Sequence, residues 1–264
     1  MYSTTEGLVL REVKFRESDR MLTILTPQGV ISASAKGSLR LKSKLFSACG
    51  LFCYSDFALY EGRNGVYQVN EAQVKKLFFD IRNSVEGLAV AMYLAEVVIT
   101  LHPTAAEAQE MLRLFLNTLH LISQGNKNLH QICTVAELRT ISLAGYMPNI
   151  VMCDGCGKYE GGNFYLDLQT GQLLCEDCAL KQGKQPNLDA ASLAAMRHIL
   201  LSESKKIFSF SLAPQSMNRL YHLVRAQVLM VLEKPPKTLE FLNTVLGECA
   251  EPIAQQEEND YASK

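Results

Sequence analysis

The chain has 264 residues with a formal net charge of −1, and 48% of its residues are hydrophobic, an ordinary composition for a folded protein with a core. Its first residues carry no basic segment followed by an apolar run, so we expect no secretory signal. The most apolar stretch, residues 88–101, is interrupted by Glu96 and is too short to span a bilayer. We therefore expect a cytoplasmic protein whose cysteines stay reduced.

The first eighty residues predict a small β domain. Five segments alternate apolar and polar residues or carry β-branched ones: LVLREVKF, RMLTILT, GVISASAK, LFCYSDFALYEG and GVYQVNEAQV. The last two segments are joined at Asn64-Gly65, a strong hairpin signal. No helix-length pattern lies among them. Because closure removes exposed strand edges, a small closed barrel is the expected fold.

From residue 85 the pattern changes to helices. Residues 85–101 carry only two charges and predict a buried helix, and a capping box at Thr104 opens the next one. Further helices are predicted over the ranges 129–145, 188–200, 217–232 and 238–246. The tail from residue 251 has few apolar residues and is predicted to be disordered. The expected fold class is therefore α+β, with the strands first and the helices after them.

Positive charge is concentrated after the third predicted strand. Residues 1–80 hold 11 Lys and Arg against 8 Asp and Glu, and no acid occurs between Asp19 and Asp56. The densest part of this window, AKGSLRLKSKLF, carries four cations: Lys36, Arg40, Lys42 and Lys44. A basic, flexible loop on a small barrel is suited to contact a phosphate backbone. The alternative interpretation is a loop whose charges only keep the surface solvated.

Four cysteines form two Cys-x-x-Cys pairs with eighteen residues between them: Cys153, Cys156, Cys175 and Cys178. In a reducing compartment this spacing predicts a tetrahedral zinc site, and Gly155 and Gly157 suit the tight turn of a metal knuckle. Short strands at NFYLDL and QLLC complete a zinc ribbon. Two redox disulfides, or four thiols without a metal, are the alternatives. Four sulfurs leave no open coordination position, so the zinc is expected to be structural.

Two long stretches carry a resemblance to a known family. They are GLVLREVKFRESDRMLTILTPQGVISASAKGSLRLKSK at the start and AELRTISLAGYMPNIVMCDGCGK before the ribbon. With the order of barrel, helices and inserted ribbon, the chain resembles the RecO family of DNA repair and recombination mediators. The resemblance implies an OB-fold domain over 1–80 and a helical domain over 81–250 with a zinc ribbon inserted at 148–180. The acidic tail over 251–264, expected from its composition to be disordered, is not part of the pattern of this family.

The resemblance implies a protein that is not an enzyme. It implies binding of single- and double-stranded DNA, annealing of complementary strands and, with the partner RecR, help in loading a recombinase onto DNA coated by single-stranded DNA-binding protein. The C-terminal tail of that coating protein is a further implied partner, and the bacterial cytoplasm and nucleoid are the implied location. The expected DNA contacts are Lys36, Arg40, Lys42 and Lys44, and the expected zinc ligands are the four cysteines.

Two other classes of function are compatible with parts of the sequence. A zinc-ribbon adaptor that binds only proteins would use the barrel as a docking surface and would show no salt-sensitive DNA binding. A metal-dependent nuclease would need clustered acids to bind magnesium, whereas the acids of the barrel segment are scattered singly. The sequence also carries neither a phosphate-binding Walker A loop nor a Gly-x-Ser-x-Gly motif.

Overall fold

The computed structural model describes residues 2–62 and 65–247, and the tail predicted to be disordered lies outside them. The N-terminal part is a closed five-stranded barrel. In chain order its elements are β1 (Tyr2–Phe15), β2 (Asp19–Thr26), β3 (Gly29–Ala35), α1 (Leu45–Ala48), β4 (Cys53–Glu61) and β5 (Val66–Leu77). The strand order is β1-β2-β3-β5-β4, with β3 and β5 parallel and the other neighbours antiparallel. The predicted OB-type barrel is confirmed.

The barrel is filled by side chains that alternate along its strands. Its interior cluster consists of residues with at most 3% of their surface exposed: Val9, Leu22, Ile24, Ala33, Ala35, Cys49, Phe57, Leu59 and Val69. Close packing of β1 on β2 disfavours a side chain at Gly7, where an added Cβ would lie 2.5 Å from Ile24 Cγ2. The hairpin predicted at Asn64-Gly65 is consistent with the antiparallel pairing of β4 and β5, although residues 63–64 lie outside the described part.

The C-terminal part is a helical bundle with a small two-stranded ribbon inserted into it. Its elements are α2 (Val85–Leu101), α3 (Ala105–Gln124), α4 (Leu129–Leu143), β6 (Phe164–Leu166), β7 (Leu173–Cys175), α5 (Glu176–Lys181), α6 (Ala190–Leu201), α7 (Pro214–Leu232) and α8 (Leu239–Leu246). A short 3-10 helix, Phe79–Asn83, connects the barrel to α2. Within the described ranges, no helix is long and apolar enough to cross a membrane. The α+β arrangement follows the sequence prediction.

Helix ends follow capping groups as well as hydrophobic periodicity. The capping box predicted at Thr104 is present. The helix predicted from residue 188 begins at Ala190 instead, because Asp189 accepts a hydrogen bond from the Ser192 N–H at 2.7 Å and acts as the N-cap. The helix predicted from residue 217 begins three residues earlier, at Pro214, since the first turn of a helix tolerates a residue without an N–H.

The barrel and the helical bundle share one continuous core. Leu8, Leu10 and Leu25 alternate with the barrel's interior residues and join the buried side chains of α2, α3 and α4 in a single cluster. The ring centroids of Phe52 and Phe115 lie 6.4 Å apart across this junction. Because an isolated barrel would expose this apolar surface to water, the two parts stabilise each other.

A charged network lies inside the helical bundle. Arg225 of α7 donates from Nε to Oε1 of Glu137 on α4 at 2.6 Å, and the hydroxyl of Tyr93 on α2 donates to the same oxygen at 2.6 Å. The guanidinium also stacks on Tyr93 and on Tyr221, at 4.6 and 4.9 Å from the ring centroids. Glu137 is fully buried, and burial together with the Glu137 charge raises the pKa of Tyr93. The network ties α2, α4 and α7 together.

Candidate nucleic-acid interface and metal centre

Residues 36–44, which connect β3 to α1, form the basic loop. Its first half is fixed to the β1–β2 turn: the Leu39 N–H donates to Ser18 O at 2.9 Å, and the Gly37 N–H donates to Asp19 Oδ1 at 2.8 Å. Gly37 has a φ of +66°, a left-handed conformation that glycine adopts at little cost. The loop is therefore a series of turns whose first half is anchored to the barrel.

The basic loop carries all four of the predicted DNA contacts, and all are exposed: Lys36, Arg40, Lys42 and Lys44. Among the residues that the structure describes, no salt bridge includes any of them. Leu41, between two of these cations, is 87% exposed. Four cations on one loop, with no carboxylate partner among the described residues, produce a positive potential that attracts polyanions. Their contact with DNA stays a prediction.

Arg20, the fifth cation of the acid-free window, has a structural role. It is 8% exposed, forms an ion pair with Glu12 at 3.1 Å and donates from Nη1 to the backbone oxygen of Phe46 at 2.8 Å. Its guanidinium also lies 5.3 Å from the centroid of the Phe46 ring. Since charge-assisted hydrogen bonds are stronger than neutral ones, Arg20 holds α1, at the end of the basic loop, against the barrel wall.

Two further groups of cations lie on the barrel, and the sequence pattern did not identify them. The β1–β2 turn carries Arg16 beside the half-exposed ring of Phe15, with the guanidinium 5.3 Å from the ring centroid. At the end of β5, Lys76 is exposed, whereas Lys75 contacts Glu6 at 2.7 Å and this hydrogen bond raises its pKa. The available signal was the Lys75-Lys76 pair, but sequence alone does not tell which of the two is neutralised.

The four cysteines of the ribbon converge on one point. Their Sγ atoms all lie within 4.8 Å of one another, and those of Cys156 and Cys175 are 3.6 Å apart. A tetrahedral zinc ion with Zn–S bonds of about 2.3 Å needs sulfurs about 3.8 Å apart. The cluster can therefore hold a four-coordinate metal ion and leaves no position for water or substrate. The predicted ligands are thus brought together as their spacing requires: Cys153, Cys156, Cys175 and Cys178.

The two cysteine pairs are shaped differently. In the first pair, Gly157 has a φ of +74° and donates to Cys153 O at 2.8 Å, which closes the predicted knuckle. Gly155 does not adopt a left-handed conformation, so that part of the prediction is wrong. A Cβ added at Gly155 would lie 3.1 Å from Cys178 Sγ, so this contact disfavours a side chain there. In the second pair, Cys175 ends β7 and α5 begins at the next residue, so a helical turn replaces a glycine knuckle.

Protonation of the cluster depends on its hydrogen bonds. Burial disfavours the Cys153 thiolate, but backbone N–H groups of Cys175, Gly155 and Cys156 outweigh it and lower the pKa of Cys153 to about 6. The side chains of Cys175 and Cys156 raise the pKa of Cys178 to about 12. Four thiolates confined to this volume repel one another, and a divalent cation removes that repulsion.

One arginine fixes the ribbon to the bundle. Arg197 of α6 donates from Nε to Ile150 O at 2.7 Å, and from Nη2 to Val151 O at 2.9 Å and Tyr159 O at 2.8 Å. Its guanidinium also lies 4.1 Å from the ring centroid of Tyr159. Because these contacts flank Cys153 in the chain, they hold the first cysteine pair against α6.

The fold and the site define a class of protein: an OB-type barrel with an exposed basic loop, joined to a helical bundle that carries a four-cysteine ribbon. Family models described as Recombination protein O N terminal and Recombination protein O C terminal match residues 1–78 and 82–240. The chain therefore belongs to the RecO family, which confirms the resemblance and supports a role in DNA repair.

Relatives named DNA repair protein RecO are similar to the chain over most of its length. The relative from Acetivibrio thermocellus is 32% identical over 245 residues, which cover 92% of this chain and 97% of the relative. The relative from Alkaliphilus metalliredigens is 29% identical over 235 residues, 89% of this chain and 95% of the relative. A Dehalococcoides mccartyi relative is 29% identical over 244 residues, 91% of this chain and 95% of the relative.

Proposed function

We propose that the chain is a DNA-binding recombination mediator and not an enzyme. It binds single- and double-stranded DNA, anneals complementary strands and, with RecR, helps to load the recombinase onto DNA coated by single-stranded DNA-binding protein. The observation that carries this proposal is the basic loop: four exposed cations without carboxylate partners in the described part of the chain, on an OB-type barrel of a DNA repair family. The DNA contacts are Lys36, Arg40, Lys42 and Lys44, and the protein acts in the cytoplasm on the nucleoid.

The basic loop supports annealing by charge neutralisation. Two complementary strands repel each other through their phosphates, and cations that contact the backbone reduce this repulsion for any sequence. Backbone contacts carry no base information, which suits a protein that pairs whatever strands it meets. No bond is made or broken in this step, so the protein needs neither a nucleophile nor a general base.

The metal centre has a structural role in this proposal, and zinc is the ion that four thiolates favour. Cys153, Cys156, Cys175 and Cys178 would hold it, and it supplies a cross-link between the two cysteine pairs. With every position filled by sulfur, the ion has no place for a substrate. Its contribution is to keep the ribbon folded against the Arg197 contacts of α6.

Changing Arg40, Lys42 and Lys44 together to Ala is expected to flatten the salt dependence of single-stranded DNA binding. Each cation that contacts a single-strand phosphate contributes roughly 0.7 to the slope of log affinity against log salt, so the slope falls by about 2. Binding weakens by a similar factor for every sequence, because backbone contacts do not read bases. Fluorescence anisotropy with labelled oligonucleotides at several salt concentrations measures both quantities.

A matched control removes the same charge elsewhere on the surface. Lys181, Lys205 and Lys234 are exposed on the helical part, and changing them together to Ala is expected to leave the slope close to that of the native chain. The protein with Arg40, Lys42 and Lys44 changed to Ala is called the basic-loop variant. Equal slopes for this variant and the native chain would show that DNA binds elsewhere on the protein. A native chain with no salt-sensitive DNA binding would favour the second candidate function, a zinc-ribbon adaptor that binds only proteins.

The C-terminal tail of single-stranded DNA-binding protein is proposed to bind the helical part. Titration calorimetry of the full chain with a peptide of that acidic, Phe-ended tail tests the partner, and a peptide without the final Phe is the control. The basic-loop variant is expected to bind the tail as tightly as the native chain, because the tail site and the DNA site are separate. A variant that loses tail and DNA binding together would place the tail on the barrel instead.

A further inference from the structure

A cavity of about 130 Å³ lies beside α1, where the basic loop ends. Phe46 of α1 lines it, and so do Phe79 and Arg82 of the short 3-10 helix that follows β5. Small-molecule sites occupy roughly 300–1,000 Å³, so this cavity is too small to enclose such a ligand. Its size suits one flat group that belongs to a longer chain.

The cavity exposes aromatic and apolar surface to water. Phe79 is 62% exposed, Leu77 is 44% exposed and Phe46 is 36% exposed, and all three line the same cavity. A single exposed apolar side chain is ordinary, but three around one cavity form a contiguous exposed patch. Such patches commonly mark a binding site.

Cations surround these rings. The guanidinium of Arg82 lies 4.9 Å from the centroid of Phe79, and Lys76 Nζ lies 5.0 Å from the centroid of Phe78. Neither cation takes part in a salt bridge within the described part of the chain. No described residue that lines the cavity is acidic, and the exposed Asp80 follows Phe79 in the chain without lining it. The charge therefore suits an aromatic group attached to an anionic chain.

The cavity is continuous with the basic loop. Lys44, the last cation of the loop, directly precedes α1, and Phe46 is the second residue of that helix. Arg20 Nη1 donates to the backbone oxygen of Phe46 at 2.8 Å, which fixes the backbone of Phe46 to the barrel. A strand whose phosphates follow the loop would thus reach the cavity with its next bases.

We infer that this cavity is a stacking site for an unpaired base of single-stranded DNA, formed by the rings of Phe46 and Phe79, with Arg82 on a neighbouring phosphate. The inference rests on the proposed function. Stacking on aromatic side chains tolerates every base, since each base has a π face, and it therefore keeps the lack of sequence preference that annealing needs. A paired base is not available to the rings, so the site distinguishes single-stranded from double-stranded DNA.

The test uses the full chain with Phe46→Leu, Phe79→Leu and the double substitution, which keep apolar bulk but remove the π face. Tyr60→Leu is the matched control: Tyr60 is 43% exposed on the same barrel and pairs with Tyr2, at the opposite end of β1 from the β1–β2 turn. The probes are a single-stranded oligonucleotide, an abasic oligonucleotide of equal length and a duplex. Melting curves of each variant verify that it is folded.

Each ring that stacks on one base is expected to contribute roughly 5- to 150-fold to single-stranded affinity, and the variants lose this factor. Binding of the abasic oligonucleotide and of the duplex stays unchanged, and the salt slope stays unchanged because no charge is removed. Phe79→Tyr, which keeps a π face, retains the native affinity.

Two results would overturn the inference while leaving the proposed function intact. In the first, the leucine variants bind the base-bearing oligonucleotide as the Tyr60→Leu protein does. In the second, they lose affinity equally for base-bearing and abasic oligonucleotides, which would mean that the rings shape the loop and do not stack on bases. A native chain that binds no DNA would overturn both the inference and the proposed function.

Discussion

The Cys175→Ser protein is expected to lose its metal and the fold of its ribbon. Cys175 is 1% exposed and lies where β7 ends and α5 begins, so it joins both elements to the cluster. Structural zinc in small modules contributes apparent binding free energies on the order of 10 kcal/mol, which the folded ribbon loses with its ion. Metal analysis should find about one zinc per native chain and little in the variant. Cys153→Ser should behave in the same way.

Cys53→Ala is the control for this experiment. Cys53 is a buried cysteine of β4 outside the cluster, and its replacement should leave the zinc content unchanged. Loss of the ribbon should lower solubility and the melting temperature more than DNA affinity, because the basic loop is built on the barrel. Full metal content and native melting in the Cys175→Ser protein would exclude the cluster as a zinc site.

Replacing Arg225 with Met is expected to destabilise the fold by about 3–5 kcal/mol, because it leaves a buried carboxylate without its cation. Glu137 has no exposed surface, and its Oε2 has no hydrogen-bond partner among the described residues, so only the Tyr93 hydroxyl would remain on Oε1. Urea unfolding followed by circular dichroism measures the loss as a lower midpoint.

The double variant Glu137→Leu with Arg225→Met separates the charge effect from lost packing. Removing both charges from a buried pair is often neutral or stabilising, so most of the stability should return. A single variant with the native unfolding midpoint would contradict the expected cost of an unpaired buried carboxylate. An equal loss in the single and double variants would assign the effect to packing around α4 and α7.

Local patterns predicted the parts of the fold whose causes are local. Alternation and the Asn64-Gly65 turn predict the strands of the barrel, and the capping box at Thr104 predicts where α3 begins. The cysteine spacing predicts the cluster, since two short turns are enough to bring four sulfurs together. Family resemblance added the OB topology, which strand patterns alone do not define.

The features that sequence could not predict depend on distant contacts. Tyr93, Glu137 and Arg225 meet only because α2, α4 and α7 pack together, and each alone has the pattern of an ordinary helix residue. Arg20 lies in the same acid-free window as the loop cations, but its ion pair with Glu12 exists only in the folded barrel. Gly155 was expected to need an unusual φ, whereas the approach of a sulfur from the second cysteine pair restricts it.

Annealing of complementary oligonucleotides coated with single-stranded DNA-binding protein tests most directly whether the basic loop neutralises phosphates. The native chain is expected to accelerate annealing, and changing Arg40, Lys42 and Lys44 together to Ala should slow it markedly at moderate salt. The control with Lys181, Lys205 and Lys234 changed to Ala should anneal at the native rate. A basic-loop variant that anneals coated strands as fast as the native chain would contradict the role of this loop.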